Sequence, residues 1–160
     1  IIANEFMKLK PLQLGDRAEI FYKFLSDINN KYNIDNVFIE EPFTMFGGGR
    51  TTAGTMAKLQ RFNGMCSFAV RRIFKMNPEL IPANKARKSV GLKIKRGEDT
   101  KKKIIEWVET KYPKDFVYEL TNYGNPKPGT DDKADAVVIA LAGMELLNEK
   151  RNETDNGKLA

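Results

Sequence analysis

Three aspartates crowd the stretch TDDKADAVVIALAG: Asp131, Asp132 and Asp135. Asp132 and Asp135 are three residues apart, a spacing that puts both on one face of a helix. Acids near a helix N-terminus offset the macrodipole and cap free amides, so Asp131 and Asp132 need no further reason. Asp135 does need one. It interrupts a largely apolar run from Ala134 to Leu147, where a carboxylate is costly unless it is paired, hydrogen-bonded or metal-bound. Two readings of it stand, a functional acid and one half of a buried ion pair. Glu40 raises the same question in strand form, since it follows Val37-Phe38-Ile39 and precedes Glu41-Pro42. That places it at the carboxyl end of a short strand, the edge where open α/β sheets bind ligands. The plainer reading, an exposed acid entering a loop, suits Glu41 better. If Glu40, Asp132 and Asp135 converge, they form an all-oxygen site suited to magnesium, or manganese, rather than zinc. A pair of such ions activates water and stabilises the leaving oxygen in phosphoryl transfer.

Composition narrows the alternatives. The 160 residues include no histidine, which removes Ser-His and Cys-His nucleophile pairs, histidine zinc sites and histidine bases. One cysteine, Cys66, excludes an internal disulfide framework and points to a reducing compartment. The longest mostly apolar run is too short and too polar to span a bilayer, and IIANEF does not read as a signal peptide. The net charge of +6 is uneven: residues 51–112 hold 15 Lys+Arg against 5 Asp+Glu. Nine of those bases lie within 85–103, including Lys88, Lys93, Lys95, Arg96, Lys101 and Lys102. A basic middle beside acidic flanks is the pattern of a polyanion-binding surface next to a carboxylate site; the alternative is a solvated lysine-rich face.

The elements that must position these residues alternate between strand and helix. Residues 1–9 read as a strand ending before Pro11. Asp16 and Glu19 form a capping-box pattern at the mouth of a helix whose buried stripe is Ile20, Phe21, Phe24, Leu25 and Ile28. The strand at 37–39 follows, then a glycine-rich loop, Gly47-Gly48-Gly49 with Arg50. A second helix from Thr51 and Thr52 carries Leu59, Phe62, Cys66, Val70 and Ile73 and stops at Pro78. Residues 80–83 read as a short strand, 85–103 as a basic loop, and 104–112 as a helix with Ile104, Trp107, Val108 and Tyr112 on its apolar side. A small strand is expected at 116–121. Thr130 is expected to cap a deeply packed final helix, with a frayed polar tail from Asn148 onward. The alternation argues an α/β domain over residues 1–147, with 148–160 as tail.

In its blocks VFIEEPF (37–43) and DDKADAVVIALA (131–142) the chain resembles the RuvC family of Holliday junction resolvases, within the RNase H-like superfamily. MAKLQRFNG (56–64) and RKSVG (87–91) keep the family's order, and the overlap runs from about residue 12 to 147. The resemblance implies an RNase H-like mixed sheet flanked by helices. It implies that Glu40, Asp132 and Asp135 are the second, third and fourth metal-binding acids, and that Lys101 lies near the scissile phosphate. Phe43 resembles the aromatic that wedges against bases at the crossover; a loop-to-core phenylalanine is the other reading. The family's first acid has no match. Residues 1–9 resemble its third strand, leading through Arg17 into its first helix, so the resemblance implies that two N-terminal strands and the first aspartate lie upstream of Ile1.

The expected activity is structure-selective nicking of branched DNA, four-way junctions above all, with magnesium or manganese. Arg50, Lys88, Lys93, Lys95, Arg96, Lys102 and Phe43 are the expected DNA contacts. A homodimer is expected because two strands must be cut symmetrically. The setting would be the cytoplasm of a bacterial or phage-infected cell. Two other functions fit the same residues: another RNase H-like nuclease or transposase, and a DNA-binding module without turnover.

Overall fold

A computed structural model of the chain describes residues 1, 3–9, 13–42 and 52–156, with side chains as far as 154. Within these residues lie five helices and two short strands, in two compact units.

The unit of residues 9–82 begins with α1, Leu14–Lys31. Its start is set by Gln13, whose N–H donates to the Asp16 carboxylate at 3.2 Å, so Asp16 reaches back from inside the first turn rather than capping it. Strand β1, Phe38–Glu40, is joined through α2, Ala53–Phe74, to β2, Glu79–Ile81. The strands pair in parallel, Phe38 opposite Glu79, Ile39 opposite Leu80 and Glu40 opposite Ile81. Thr52 caps α2 by accepting from the Thr55 N–H at 3.2 Å. Lys75, in the left-handed region at φ 61°, ends that helix before Pro78. Helix α1 lies on α2, and the core between helices and strands is built on Leu25, Ala69 and Val70. Phe21, Phe24, Ile28, Val37, Ile39, Ile73 and Phe74 pack around it. Each fully buried Val or Leu contributes on the order of 1.5–3 kcal/mol, which outweighs the three-residue ladder between the strands.

The second unit comprises residues 1–8 and 83–160. Its helices are α3, Ala83–Ser89, α4, Thr100–Lys111, and α5, Thr130–Asn156. Both α3 and α4 pack on α5, through buried Ala83, Ala86, Ile104, Ile105 and Val108 against Ala134, Val137, Val138 and Ala142.

The expectation of an RNase H-like mixed sheet is overturned: the described residues form a mostly helical chain with one two-stranded parallel sheet. The strands expected at 37–39 and 80–83 form at 38–40 and 79–81. Residues 3–9 form none. Instead the Phe6 ring, 44% exposed, lies over Gly129, and the Asn4 amide donates to the Lys133 carbonyl at 3.4 Å. In place of a strand at 116–121 there is a single bridge, Leu120 to Pro126, because Pro126 and Pro128 cannot donate to a ladder. The basic stretch 85–103 is not one loop. Lys85, Arg87 and Lys88 ride on α3, whose buried Ala83 and Ala86 favour helix, and Lys101 to Lys103 open α4. Residues 148–156 continue α5 instead of fraying, since extending an existing helix is cheap once it is nucleated.

Gly129 is the tightest point of the second unit. Its φ of +93° suits glycine, and an added Cβ would stand 2.6 Å from the Phe6 ring. Gly129→Ala is therefore expected to destabilise the chain by about 1–3 kcal/mol in urea titration. Phe6→Ala in the same chain should recover only the steric part. Recovery of the whole loss would show that the backbone angle carries no strain.

Candidate functional site

The acids of the DDKAD block sit where α5 begins. Thr130 is buried, and its hydroxyl donates to the Lys127 carbonyl at 2.8 Å, so it fastens the preceding turn instead of capping the helix. The side chains of Asp131 and Asp135, four residues apart, meet basic side chains from different helices. Asp131 accepts a hydrogen bond from Lys101 Nζ at the start of α4. Asp99 orients that start, accepting from the Lys101 and Lys102 amides at 2.9 and 3.2 Å. Asp135 faces Arg87 of α3, with Oδ1 3.6 Å from Nη2 and the two side chains 30% and 25% exposed. Arg87 Nε is buried with no hydrogen-bond partner among the described residues. Asp132 is exposed.

Lys101 at one acid and burial at the other push the two carboxylates apart. The hydrogen bond from Lys101 holds Asp131 below the usual carboxylate range, against some burial. Burial raises Asp135; Arg87 opposes the rise and the charges of Asp131 and Asp132 add to it. Lys101 is raised, first by its bond to Asp131 and then by the field of Asp131, Asp132 and Asp135. Two carboxylates one turn apart with oppositely displaced pKa values are the arrangement that lets one stay charged while the other holds a proton more readily.

Lys101 also separates from its neighbours. Lys102 and Lys103 turn to Glu106, at 4.0 and 3.3 Å, whereas Lys101 alone of the three bonds to the acids of α5. Lys88 on α3 and Lys93, Lys95 and Arg96 in the turn before α4 are exposed and make no side-chain ion pair among the described residues. Glu40 is exposed at the end of β1, where its carbonyl accepts from the Asn63 amide at 3.0 Å; it belongs to the unit of residues 9–82. Phe43 and Arg50 lie outside the described residues. Arg87 as the partner of Asp135 and Asp131 as the partner of Lys101 were not foreseen from sequence, the second pair being thirty residues apart.

Among the described residues no group of three or more acids or cysteines is placed to hold a metal ion. Magnesium commonly takes only one or two carboxylates and completes its shell with water and substrate phosphate oxygens. Asp132 and Asp135, three apart at the start of α5, fit that smaller requirement.

Because the folded pKa of Asp135 lies above its unfolded value, the unfolded chain holds fewer protons between the two, and stability falls as pH rises through that window. In metal-free buffer, Asp135→Asn should need more urea to unfold than the parent chain at about pH 7. The difference should vanish near pH 3, below the ordinary carboxylate range. Arg87→Met removes the opposing charge and should lower stability at neutral pH while sparing it in acid. Equal midpoints for parent and Asp135→Asn at both pH values would contradict the raised carboxylate.

No protein-family model matches the chain, and no curated protein matches it either.

Proposed function

We propose that the chain is a metal-dependent, structure-selective endonuclease that nicks branched DNA, the activity implied by its resemblance to RuvC Holliday junction resolvases. The observation that carries the reading is Asp135. It is a carboxylate kept half-buried against its own ionisation, one turn from an ionised Asp131, with Lys101 and Arg87 converging on the pair. A carboxylate raised by desolvation beside charged partners is a functional-site candidate. The reading rests on this site and on the motifs, not on the fold.

In this reading Lys101 leaves Asp131 to contact the phosphate flanking the scissile bond, an exchange of one anionic oxygen for another. Asp131 keeps that lysine charged and aimed until substrate arrives. Arg87 faces the Asp135 carboxylate, and Asp132 and Asp135 would hold magnesium. When bound, the ion supplies Lewis-acid charge for the developing oxyanion and for the attacking water. Lys88, Lys93, Lys95, Arg96 and Lys102 bind the backbone phosphates around the site. Two symmetric cuts across a junction call for a homodimer. Among the described residues no helix is long and apolar enough to cross a membrane, and the proposed activity would belong in the cytoplasm of a bacterial or phage-infected cell.

A DNA-binding module without turnover is the second reading. It is favoured by the same ion pairs, which leave Asp131 and Asp135 each occupied by a basic side chain.

Nicking of a labelled four-way junction in magnesium separates the two. Asp135→Asn and Asp132→Asn should each lower the rate by roughly a hundredfold or more while leaving junction affinity nearly unchanged. A parent chain that binds junctions but never nicks them would establish the second reading.

The basic turn makes its own prediction. Lys93, Lys95 and Arg96 changed together to Ala should reduce the slope of log affinity against log salt by about 2–3, close to one unit per lost phosphate contact. An unchanged slope would place this turn away from the nucleic acid.

A further inference from the structure

Between α4 and α5 the chain forms a small hairpin that is exposed almost throughout, from Glu119 to Pro128. Leu120 and Pro126 make its one bridge, the Lys127 N–H donates to the Glu119 carbonyl at 2.9 Å, and the Lys127 and Glu119 side chains pair across it. The tip is closed on Thr121. The Gly124 N–H donates to the Thr121 carbonyl at 2.9 Å, the Thr121 N–H to the Asn125 carbonyl at 2.7 Å, and the Asn125 N–H to the Thr121 hydroxyl at 3.2 Å. Gly124, at φ +76°, supplies the left-handed step that closes the turn. At the base the Thr130 N–H and hydroxyl both donate to the Lys127 carbonyl, at 3.2 and 2.8 Å, which fastens the hairpin to the first turn of α5. What this bracing holds out is Tyr123. At 92% exposed it is the most exposed large apolar side chain among the described residues. A scattered exposed ring needs no explanation, but this one is raised on a tied turn that buries nothing beneath it.

The bond from Lys101 to Asp131 brings the start of α4 to the start of α5. The basic turn that leads into α4 and the hairpin that leads into α5 therefore emerge at the same end of this unit, beside the acids. Tyr123 precedes Thr130 by seven residues, so its Cα lies no more than about 25 Å from the head of α5. We propose that Tyr123 stacks on an unpaired base of the substrate, which makes branched DNA with an unpaired nucleotide at the branch the preferred substrate class. The inference rests on the reading of the acids as a DNA-nicking site. Glu119 and Lys127 cancel, so the hairpin has no net charge with which to hold phosphate, and its tip offers a ring face instead. Attraction for the backbone falls to Lys93, Lys95 and Arg96, which are exposed and in no ion pair among the described residues. A paired base gives its faces to its neighbours in the stack, and opening that stack is costly. An unpaired base has a face free for an aromatic side chain, whatever its sequence.

The full chain is titrated, without magnesium, against two four-way junctions. One carries 2-aminopurine in a base pair; the other carries it as an unpaired nucleotide at the branch. The parent should bind the second about five- to a hundredfold more tightly and quench its fluorescence. Tyr123→Phe should keep both effects, because the ring and not the hydroxyl makes the contact. Tyr123→Ala should lose both while binding the paired junction like the parent, which also shows that this variant is folded. A parent that does not distinguish the two junctions overturns the inference. So does a Tyr123→Ala chain that keeps the preference, or one that loses affinity equally for both, the result expected of a general contact or of a tip built for a protein partner. Nicking plays no part in this measurement. Preference without nicking would sink the endonuclease reading alone, nicking without preference this inference alone, and a chain that binds neither junction overturns both.

Discussion

The packing of α3 and α4 on one helix, α5, sets the terms for everything near the acids. Ala83 and Ala86 of α3 and Ala134 and Ala142 of α5 are all buried, and small side chains on facing helices let their axes come close. On the other side Ile104, Ile105 and Val108 of α4 are buried, as are Val137 and Val138 of α5. The first turns of α5 are thus hemmed by two helices whose exposed faces are basic. Asp131 and Asp135 meet Lys101 and Arg87 because α4 and α3 dock on the same helix beside them.

The electrostatic result is unequal for the two acids, and the inequality follows from the geometry of each pair. Asp131, its side chain 21% exposed, accepts a direct hydrogen bond from Lys101, and that bond outweighs the cost of the carboxylate's own burial. Asp135 faces Arg87 at 3.6 Å, too far for a good hydrogen bond, and Arg87 Nε has no hydrogen-bond partner among the described residues. Desolvation therefore outweighs attraction at Asp135 and not at Asp131. A chain selected for stability alone would have little use for this acid, which is why it anchors the functional reading.

The other unit shows the same economy of surfaces. One side of α2 supplies Ala69 and Val70 to the core with Leu25, while another leaves Met65 and Phe68 in the open. Helix periodicity alone does not distinguish these two stripes, since both recur every three or four residues. Leu59, expected on the buried side, is more than half exposed, and Ile20 on α1 is exposed too. Which apolar stripe turns inward was decided by where the neighbouring helix and the β1–β2 pair lie.

Local chemistry was legible in the sequence wherever it depended on neighbours a few residues away. The helices near 14–31 and 53–74, and most of those at 100–111 and 130–156, announce themselves through apolar spacing, caps and prolines, and the strand before Glu40 through its run of three apolar residues; the first turn of α4 and the last turns of α5 do not. Asp135 stood out because a charge in an apolar helix face is costly in any fold. The sheet was not legible. Pairing depends on partners far along the chain, and the apolar residues of 3–9 and 116–120 found packing against α5 and α4, or exposure, instead of strand partners. Nor could the sequence say which base each acid would meet. Arg87 and Lys101 are two of nine bases in one stretch, and only the docking of α3 and α4 on α5 selected them, because side chains of that length pair with whatever the packed backbones bring within reach.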